Sequence, residues 1–183
     1  MTTKLMQKKV STVLFIGRFQ PLHKGHVKAI REFLKKYDKV ILVIGSIQEK
    51  RTFQNPFSFP ERKKMIRSVF LNEIEKEKIM VGGVKDEFDD EKWTEKILRR
   101  FNFDVVATGN PWVVKCFSGK KQIEKIKLWK PELYSGTRIR ELVLSGSEEW
   151  KRLVPEEVKN IIISLLPKIL KEIKIKLLKR CVK

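Results

Sequence analysis

Short apolar runs alternate along the chain with longer segments in which apolar residues recur at helical spacing. The first run is Val13–Ile16, and the segment from Val27 to Leu34 follows it with four apolar residues spaced as on one face of a helix. A continuous apolar run is typical of a strand that is covered on both faces, as in a parallel sheet. A second run at Lys39–Gly45 completes a strand–helix–strand unit, whose crossover is expected to be right-handed.

The same alternation continues to the end of the chain. Further strands are predicted at Lys78–Val84, Phe103–Thr108 and Lys125–Trp129. Helices are predicted at about 58–70, 93–101, 137–144 and 155–166. This order predicts an α/β fold, a Rossmann-like doubly wound parallel sheet of about five strands with a C-terminal helical extension.

The two ends of the chain differ from the predicted domain. Residues 1–10 are a basic N-terminal extension, residues 11–166 are one domain, and 167–183 are a basic amphipathic tail beyond Pro167, which is expected to kink or end the last helix. The tail pattern fits a helix that binds a partner, a membrane surface or RNA. We favour a helix packed on a neighbouring subunit or a frayed end.

Charge and composition exclude some classes of protein. The formal net charge is +19, of which residues 1–10 contribute +3 and residues 168–183 contribute +6. A basic chain suits both triphosphate handling and nucleic-acid binding, so charge does not separate these functions. No stretch approaches the ~20 apolar residues of a membrane helix. With no apolar signal-peptide core and two distant cysteines, the sequence predicts a cytoplasmic protein.

The segment Gly17–His26 joins the first strand to the first helix. A helix start offers backbone N–H groups without internal partners and the positive end of the helix dipole, which together bind phosphate. Gly17 lets the backbone approach a ligand closely. His23 and His26 stand three residues apart and can face the same way. These two imidazoles, with the Arg18 guanidinium, would meet a polyphosphate.

A second segment, Tyr134–Arg140, has similar chemistry at the start of a later helix. Ser135 or Thr137 is a natural N-cap, so this helix start also combines hydroxyl groups with an arginine.

The two segments resemble known motifs. Gly17–His26, with its His-x-Gly-His core, resembles the signature of the nucleotidylyltransferase superfamily, and Tyr134–Arg140 is similar to its distal Ser-x-Thr-x-x-Arg motif. In full form, both resemble archaeal nicotinamide mononucleotide (NMN) adenylyltransferases, over roughly residues 11–166. Two ordered motifs are far more specific than either alone.

The resemblance implies adenylyl transfer from ATP to NMN, giving NAD+ and pyrophosphate without a covalent nucleophile. Catalysis would then depend on positioning and charge neutralisation. The implied catalytic residues are Arg18, His23, His26 and Arg140. The implied ATP-binding residues are Gly17, Arg18, Phe19, His23, Gly25, His26, Gly109, Asn110, Ser135, Thr137 and Arg140.

Candidate NMN-binding residues follow the second and third strands. Ser46 lies just beyond the second strand, at the edge where open α/β sheets bind ligands. The resemblance assigns NMN contacts to Asp86 and Trp93. An aromatic face suits the cationic nicotinamide ring, although a tryptophan on an amphipathic helix also fits the core.

The loop Gln48–Phe59 is long for a connection between a strand and a helix, which favours a functional role. Asn55 begins an Asn-Pro-Phe sequence that resembles the archaeal enzymes, and we include it among the NMN-binding candidates. Arg51 is a candidate phosphate contact at the NMN site, and Arg62 is a weaker one. The alternative for both is a solvated surface arginine.

The resemblance also implies partners. ATP, NMN and NAD+ are the expected ligands, with Mg²⁺ bridging phosphate oxygens of ATP. The sequence has no metal-ligand cluster, so no residue is assigned to a metal. A ring-like homo-oligomer, a hexamer, is implied, and no membrane or nucleic acid partner is expected.

Two alternatives remain open. The first is a sibling transferase that acts on another phosphate, such as phosphopantetheine or flavin mononucleotide (FMN). The archaeal features at Asp86 and Trp93 argue against it. The second is a basic nucleic-acid-binding protein on the same scaffold, which would not require the set His23, His26 and Arg140.

Overall fold

The protein is an α/β sandwich around one parallel sheet. The computed structural model describes residues 11–127 and 129–181. The strands are β1 (Thr12–Gly17), β2 (Lys39–Ile44), β3 (Ile79–Gly83), β4 (Val105–Thr108) and β5 (Gln122–Lys125). They form one sheet in the order β3-β2-β1-β4-β5, and each pair is parallel. The doubly wound parallel sheet predicted from the sequence is therefore confirmed.

Helices cover both faces of the sheet. They are α1 (Lys24–Lys36), α2 (Phe59–Glu75), α3 (Asp90–Arg100), α4 (Pro111–Phe117), α5 (Gly136–Leu144) and α6 (Glu156–Cys181), with a short 3₁₀ helix at Glu148–Arg152. Alternate residues of β1 enter different cores, Val13 and Phe15 with α1, α2, α5 and α6, and Leu14 with α3 and α4. None of the described helices is long and apolar enough to cross a membrane.

The strand order fixes where a ligand can bind. The chain runs outward from β1 through β2 to β3, then returns to the other side of β1 with β4 and β5. In open α/β sheets, the crevice at the carboxyl ends of the strands on either side of such a reversal is the usual ligand site. The loops that follow β1, β2 and β4 therefore surround the candidate site.

Two elements in the middle of the chain differ from the sequence prediction. β5 lies at Gln122–Lys125, earlier than the predicted Lys125–Trp129. It is an edge strand whose residues are half-buried or exposed, so it lacks the continuous apolar run of the central strands. Helix α4 is not among the predicted helices, because a Gly-Asn-Pro sequence after a strand is typical of a turn. Asn110 is instead the N-cap of α4, and Pro111 takes a first-turn position where its missing N–H costs nothing.

The C-terminal tail is part of the domain in the structure. The helix end expected at Pro167 does not occur, and α6 continues to Cys181. Ile169 and Ile173, both beyond the proline, are buried in the same core as α2. Burial on both sides of Pro167 compensates for the hydrogen bond that a proline removes. The predicted N-terminal extension, residues 1–10, lies outside the described residues.

Candidate active site

The two histidines cap helix α1 and each other. His23 is the N-cap, and its Nδ1 accepts a hydrogen bond from the backbone N–H of His26 at 3.3 Å. In return, Nδ1 of His26 accepts from the backbone N–H of His23 at 3.4 Å. The rings stack with centroids 3.6 Å apart. This reciprocal arrangement is a capping box built from two histidines in place of the usual hydroxyl and carboxylate.

The capping box determines the protonation state of both rings. A nitrogen that accepts from an N–H carries no proton, so each imidazole holds its proton on Nε2 and can donate it to a ligand. Burial, together with a smaller effect of the nearby Arg140 charge, lowers the pKa of His23 to about 3. The pKa of His26 is also lowered well below its ordinary value, first by burial and then by His23. Both histidines are therefore neutral hydrogen-bond donors in the free protein.

The second motif meets the first at the same place. Ser135 is the N-cap of α5, as predicted, and its Oγ accepts from the backbone N–H of Arg138. Arg140 is buried, and it donates from Nη1 to the Gln20 carbonyl at 3.1 Å and from Nη2 to Thr137 Oγ1 at 3.0 Å. The two helix starts are therefore linked by hydrogen bonds.

Close packing between the motifs requires glycine at position 25. A Cβ placed on Gly25 would lie 2.8 Å from the Cβ of Tyr134 and about 3.1 Å from the His23 ring. The conformation of the His23–His26 turn and the position of the distal motif are thus mutually dependent.

Three arginines give this corner a positive potential. Arg18 is exposed, and its charge contributes to a lowered pKa of Arg140, although burial is the larger cause. Arg62 is fully buried and donates to the carbonyls of Arg18, Gly45 and Ser46 at 2.8 to 2.9 Å. Burial lowers its pKa to about 10, so Arg62 is still charged at neutral pH. Arg62 is not the surface arginine or phosphate contact considered from the sequence, because its guanidinium ties the ends of β1 and β2 together.

A cavity of about 670 Å³ opens beside the histidines. Helix α1 forms one wall, and β5 with the segment that follows it forms the other. Trp129 and Tyr134 stack in the second wall with centroids 4.6 Å apart, and Lys28 Nζ lies 4.3 Å from the Trp129 ring centre. The cavity combines apolar walls with the neutral donors at one end. It is large enough for a small organic ligand.

The predicted NMN-binding residues Ser46 and Asp86 lie together at the carboxyl ends of β2 and β3. Ser46 Oγ donates to Asp86 Oδ1 at 3.0 Å, and Gln48 Nε2 donates to the other carboxylate oxygen at 2.9 Å. Ser46 has a positive φ of 50°, as does Phe19 at 48°. Non-glycine residues in this left-handed region concentrate at functional sites, where the surrounding structure holds them.

Trp93 lies in the core, which is the alternative to a ligand contact that its place on an amphipathic helix left open. It is 3% exposed and belongs to the core under α3 and α4. Trp112 of α4 lies over it with ring centroids 4.5 Å apart, and Trp112 Nε1 donates to Asp90 at 2.9 Å. Since Trp112 is 39% exposed, it presents the accessible aromatic surface at this position.

Arg51 and Asn55 are both buried in the loop between β2 and α2. The guanidinium of Arg51 is bonded to Glu61, Glu172 and the carbonyl of Pro56. Arg51 was expected to contact a phosphate, but in the structure these internal partners bond all of its guanidinium nitrogens. Asn55 Oδ1 is buried without a hydrogen-bond partner among the described residues.

Gly109 and Asn110 lie where β4 leads into α4. The Asn110 N–H donates to Thr108 Oγ1, and Asn110 Oδ1 caps α4. No cluster of three or more His, Cys, Asp or Glu side chains suited to a metal ion occurs within the described ranges. The groups that meet at the candidate site are ones that bind anions, namely the two histidines and the three arginines.

Comparison with known proteins agrees with this geometry. A family model described as cytidylyltransferase-like matches residues 14–142. The nicotinamide-nucleotide adenylyltransferase of Archaeoglobus fulgidus is 37% identical over 156 residues, covering 81% of this chain and 88% of that protein. The chain belongs to the nicotinamide-nucleotide adenylyltransferase family. Nicotinamide-nucleotide adenylyltransferase 1 of Sulfolobus acidocaldarius, 33% identical over 81% of this chain and 87% of its own length, supports the same assignment.

Solved structures support the fold of this family member. A bifunctional NMN adenylyltransferase/ADP ribose pyrophosphatase from Francisella tularensis, complexed with AMP and a Mn ion, superposes with a TM-score of 0.74 at 23% identity. The match covers 90% of this chain and 52% of that one, so this chain spans about half of the bifunctional protein. A NadR protein in complex with NAD and AMP-PNP gives a TM-score of 0.56 at 21% identity, over 74% of this chain and 43% of that one.

Sequence reasoning missed three residues that shape the site. Gln20 holds the loop before α2, since its amide bonds both the N–H and the carbonyl of Phe57. Trp112 covers Trp93, and Glu172 pairs with Arg51 from α6. The position of Gln20 inside the first motif was a signal for its importance. Trp112 and Glu172 act through contacts between distant segments, for which a single sequence gives no signal.

Proposed function

We propose that the residues gathered at the carboxyl ends of β1, β2 and β4 transfer the adenylyl group of ATP to NMN, giving NAD+ and pyrophosphate. The chain is a nucleotidyltransferase of NAD biosynthesis. The 5′-phosphate oxygen of NMN forms a bond to the α-phosphorus, and the bond from that phosphorus to the bridging oxygen of pyrophosphate breaks. The observation that carries the proposal is the junction of the two motif helices through Arg140, Gln20 and Gly25.

The triphosphate lies at this junction. The Nε2–H groups of His23 and His26 donate to phosphate oxygens, at the positive end of the α1 dipole. Arg18 and Arg140 neutralise the charge that develops as pyrophosphate leaves. The hydroxyls of Ser135 and Thr137 accept from protein N–H groups, so each can donate its own proton to the β- or γ-phosphate. Catalysis then depends on positioned donors, with no proton removed by a histidine.

The nucleosides occupy opposite sides of the phosphates. The adenosine enters the cavity beside the histidines. Gly17 and Phe19 lie at the carboxyl end of β1, and Gly109 and Asn110 follow β4, so all four residues are at the sheet edge where the phosphates bind. The NMN lies over Ser46 and Asp86. The pair Trp93–Trp112 offers its aromatic surface to the cationic nicotinamide ring, with Trp112 making the contact and Trp93 supporting it.

A divalent metal enters as part of the substrate. The described residues hold no protein cage for an ion, which fits Mg²⁺ that arrives bound to the ATP phosphates. We also infer a homo-oligomer, a hexamer in the family pattern, in the cytoplasm.

The test is an assay with a panel of acceptor phosphates. Purified protein with ATP and Mg²⁺ is supplied in turn with NMN, nicotinic acid mononucleotide, phosphopantetheine and FMN, and pyrophosphate release is followed. We expect NMN to give the highest kcat/KM. A preference for phosphopantetheine or FMN would assign the chain to a sibling activity, and nucleic-acid binding without turnover on any acceptor would refute the enzyme.

A further inference from the structure

We propose that Glu172, in the second half of α6, is a positioning residue that holds the loop between β2 and α2 in its binding conformation. Glu172 Oε2 accepts from Arg51 Nε at 2.6 Å. One turn further on, Lys176 Nζ donates to the carbonyl of Lys50 at 2.9 Å. The second half of α6 therefore contacts two consecutive residues of the loop.

Arg51 connects Glu172 to the start of α2. Its Nη1 and Nη2 donate to the two carboxylate oxygens of Glu61, at 2.7 and 2.6 Å, and Nη1 also donates to the Pro56 carbonyl at 2.7 Å. The bonds with Glu61 and Glu172 raise the pKa of Arg51 in spite of its burial. The guanidinium thus links α6, the loop and the start of α2.

Two features of this loop destabilise the conformation that it adopts. Arg51 has a positive φ of 58°, a region that costs free energy for any residue with a Cβ. Asn55 Oδ1 is buried without a partner among the described residues, which costs the loop a lost hydrogen bond with water. Contacts from outside the loop, including those from α6, must offset these costs.

A short series of hydrogen bonds connects this loop to the phosphate site. Phe57 follows Pro56, and its N–H and carbonyl are both bonded by the Gln20 side chain, at 3.0 and 2.7 Å. The Gln20 carbonyl in turn accepts from Arg140. Glu172 is thus connected to Arg140 through Arg51, the backbone of residues 56–57 and Gln20. Because Arg140 is the arginine that neutralises pyrophosphate, greater mobility of the loop will also increase the mobility of the nucleotide site.

The role in catalysis rests on the function proposed above, but the ordering of the loop can be measured without substrate. Glu172→Gln removes the charge and keeps the shape, Glu172→Asp keeps the charge, and Glu157→Gln is the control, an exposed acid on the same helix. Amide hydrogen exchange of residues 48–57 is compared in the free proteins by mass spectrometry. We expect exchange to increase about tenfold in Glu172→Gln, less in Glu172→Asp, and to stay unchanged in the control.

Kinetics with ATP and NMN provide the second measurement. We expect kcat/KM of Glu172→Gln to fall about tenfold, mainly through KM, because substrate binding must then order the loop. If Glu172→Gln proves too unstable to assay, Lys176→Met removes only the contact with Lys50 and is expected to give the same pattern. Wild-type exchange of the loop in a folded Glu172→Gln protein would overturn the proposal. If loop exchange increases in Glu172→Gln as expected, but the wild-type protein is inactive on every acceptor, the proposed function alone would be refuted.

Discussion

The charge state of His23 and His26 is the most distinctive prediction of the site. An exposed histidine takes up a proton near pH 6.5, whereas burial lowers the pKa of His23 to about 3 and that of His26 well below its ordinary value. Protonation of either Nδ1 would place an N–H against the backbone N–H that it now accepts from. We therefore expect both rings to stay neutral, with the proton on Nε2, when the free protein is acidified from pH 7 to pH 5.

The same shift makes the stability of the fold depend on pH. Below pH 6.5 the unfolded chain binds protons that the folded chain does not, so the free energy of unfolding falls as the pH falls, until the folded pKa is reached. Each pH unit costs about 1.4 kcal/mol for each histidine. Between pH 6.5 and pH 5, His23 alone should cost roughly 2 kcal/mol, a substantial part of the ~5–15 kcal/mol that stabilises a typical domain, and the lowered pKa of His26 acts in the same direction.

The assay is ¹⁵N-detected nuclear magnetic resonance of the imidazoles. The chain contains two histidines, so their signals can be assigned with one substitution. The control for stability is a His23→Asn, His26→Gln double variant, whose unfolding free energy should change less between pH 7 and pH 5 than that of the wild type. Titration of either ring near pH 6.5 in the folded protein, or a proton on Nδ1, would refute the capping-box interpretation.

Three further substitutions and one deletion test the rest of the site. His26→Ala should lower kcat about 10²-fold through lost electrostatic stabilisation, while circular dichroism remains normal; wild-type turnover would remove His26 from the catalytic set. Trp112→Ala should weaken NMN binding by about 1–2 kcal/mol and leave ATP binding unchanged in calorimetric titrations; equal losses for both ligands would contradict the assignment of Trp112. Trp93→Ala should also lower the melting temperature, because burial of a tryptophan contributes ~3–5 kcal/mol. Deletion of residues 167–183 should lower the melting temperature and abolish most activity, because two buried isoleucines contribute roughly 1.5–3 kcal/mol each; a stable, active truncated protein would support the separate tail expected from the sequence.

Local chemistry made the two motifs predictable. His23 and His26 at a helix start, and Ser135 ahead of α5, follow rules of capping that depend on a few neighbouring residues. The central strands were recognisable because burial on both faces leaves continuous apolar runs. The fold and the two helix starts that form the candidate site were therefore predictable from the sequence.

Contacts between distant segments were not predictable in this way. Trp93 has the same helical spacing whether its ring faces a ligand or the core, and the deciding contact comes from Trp112 on another helix. Arg51 has the composition of a phosphate-binding residue, but Glu172 lies 121 positions away. The lowered pKa of each histidine likewise depends on burial, which appears only after the two motifs have packed together.

The central claim is adenylyl transfer from the α-phosphate of ATP to NMN. The most direct measurement is a single-turnover reaction of excess enzyme with ATP labelled with ³²P at the α-phosphate, in the presence of NMN and Mg²⁺. We expect the label to appear in NAD+, with one pyrophosphate released for each dinucleotide formed. Label recovered only in ADP or AMP, with NMN unchanged, would contradict it.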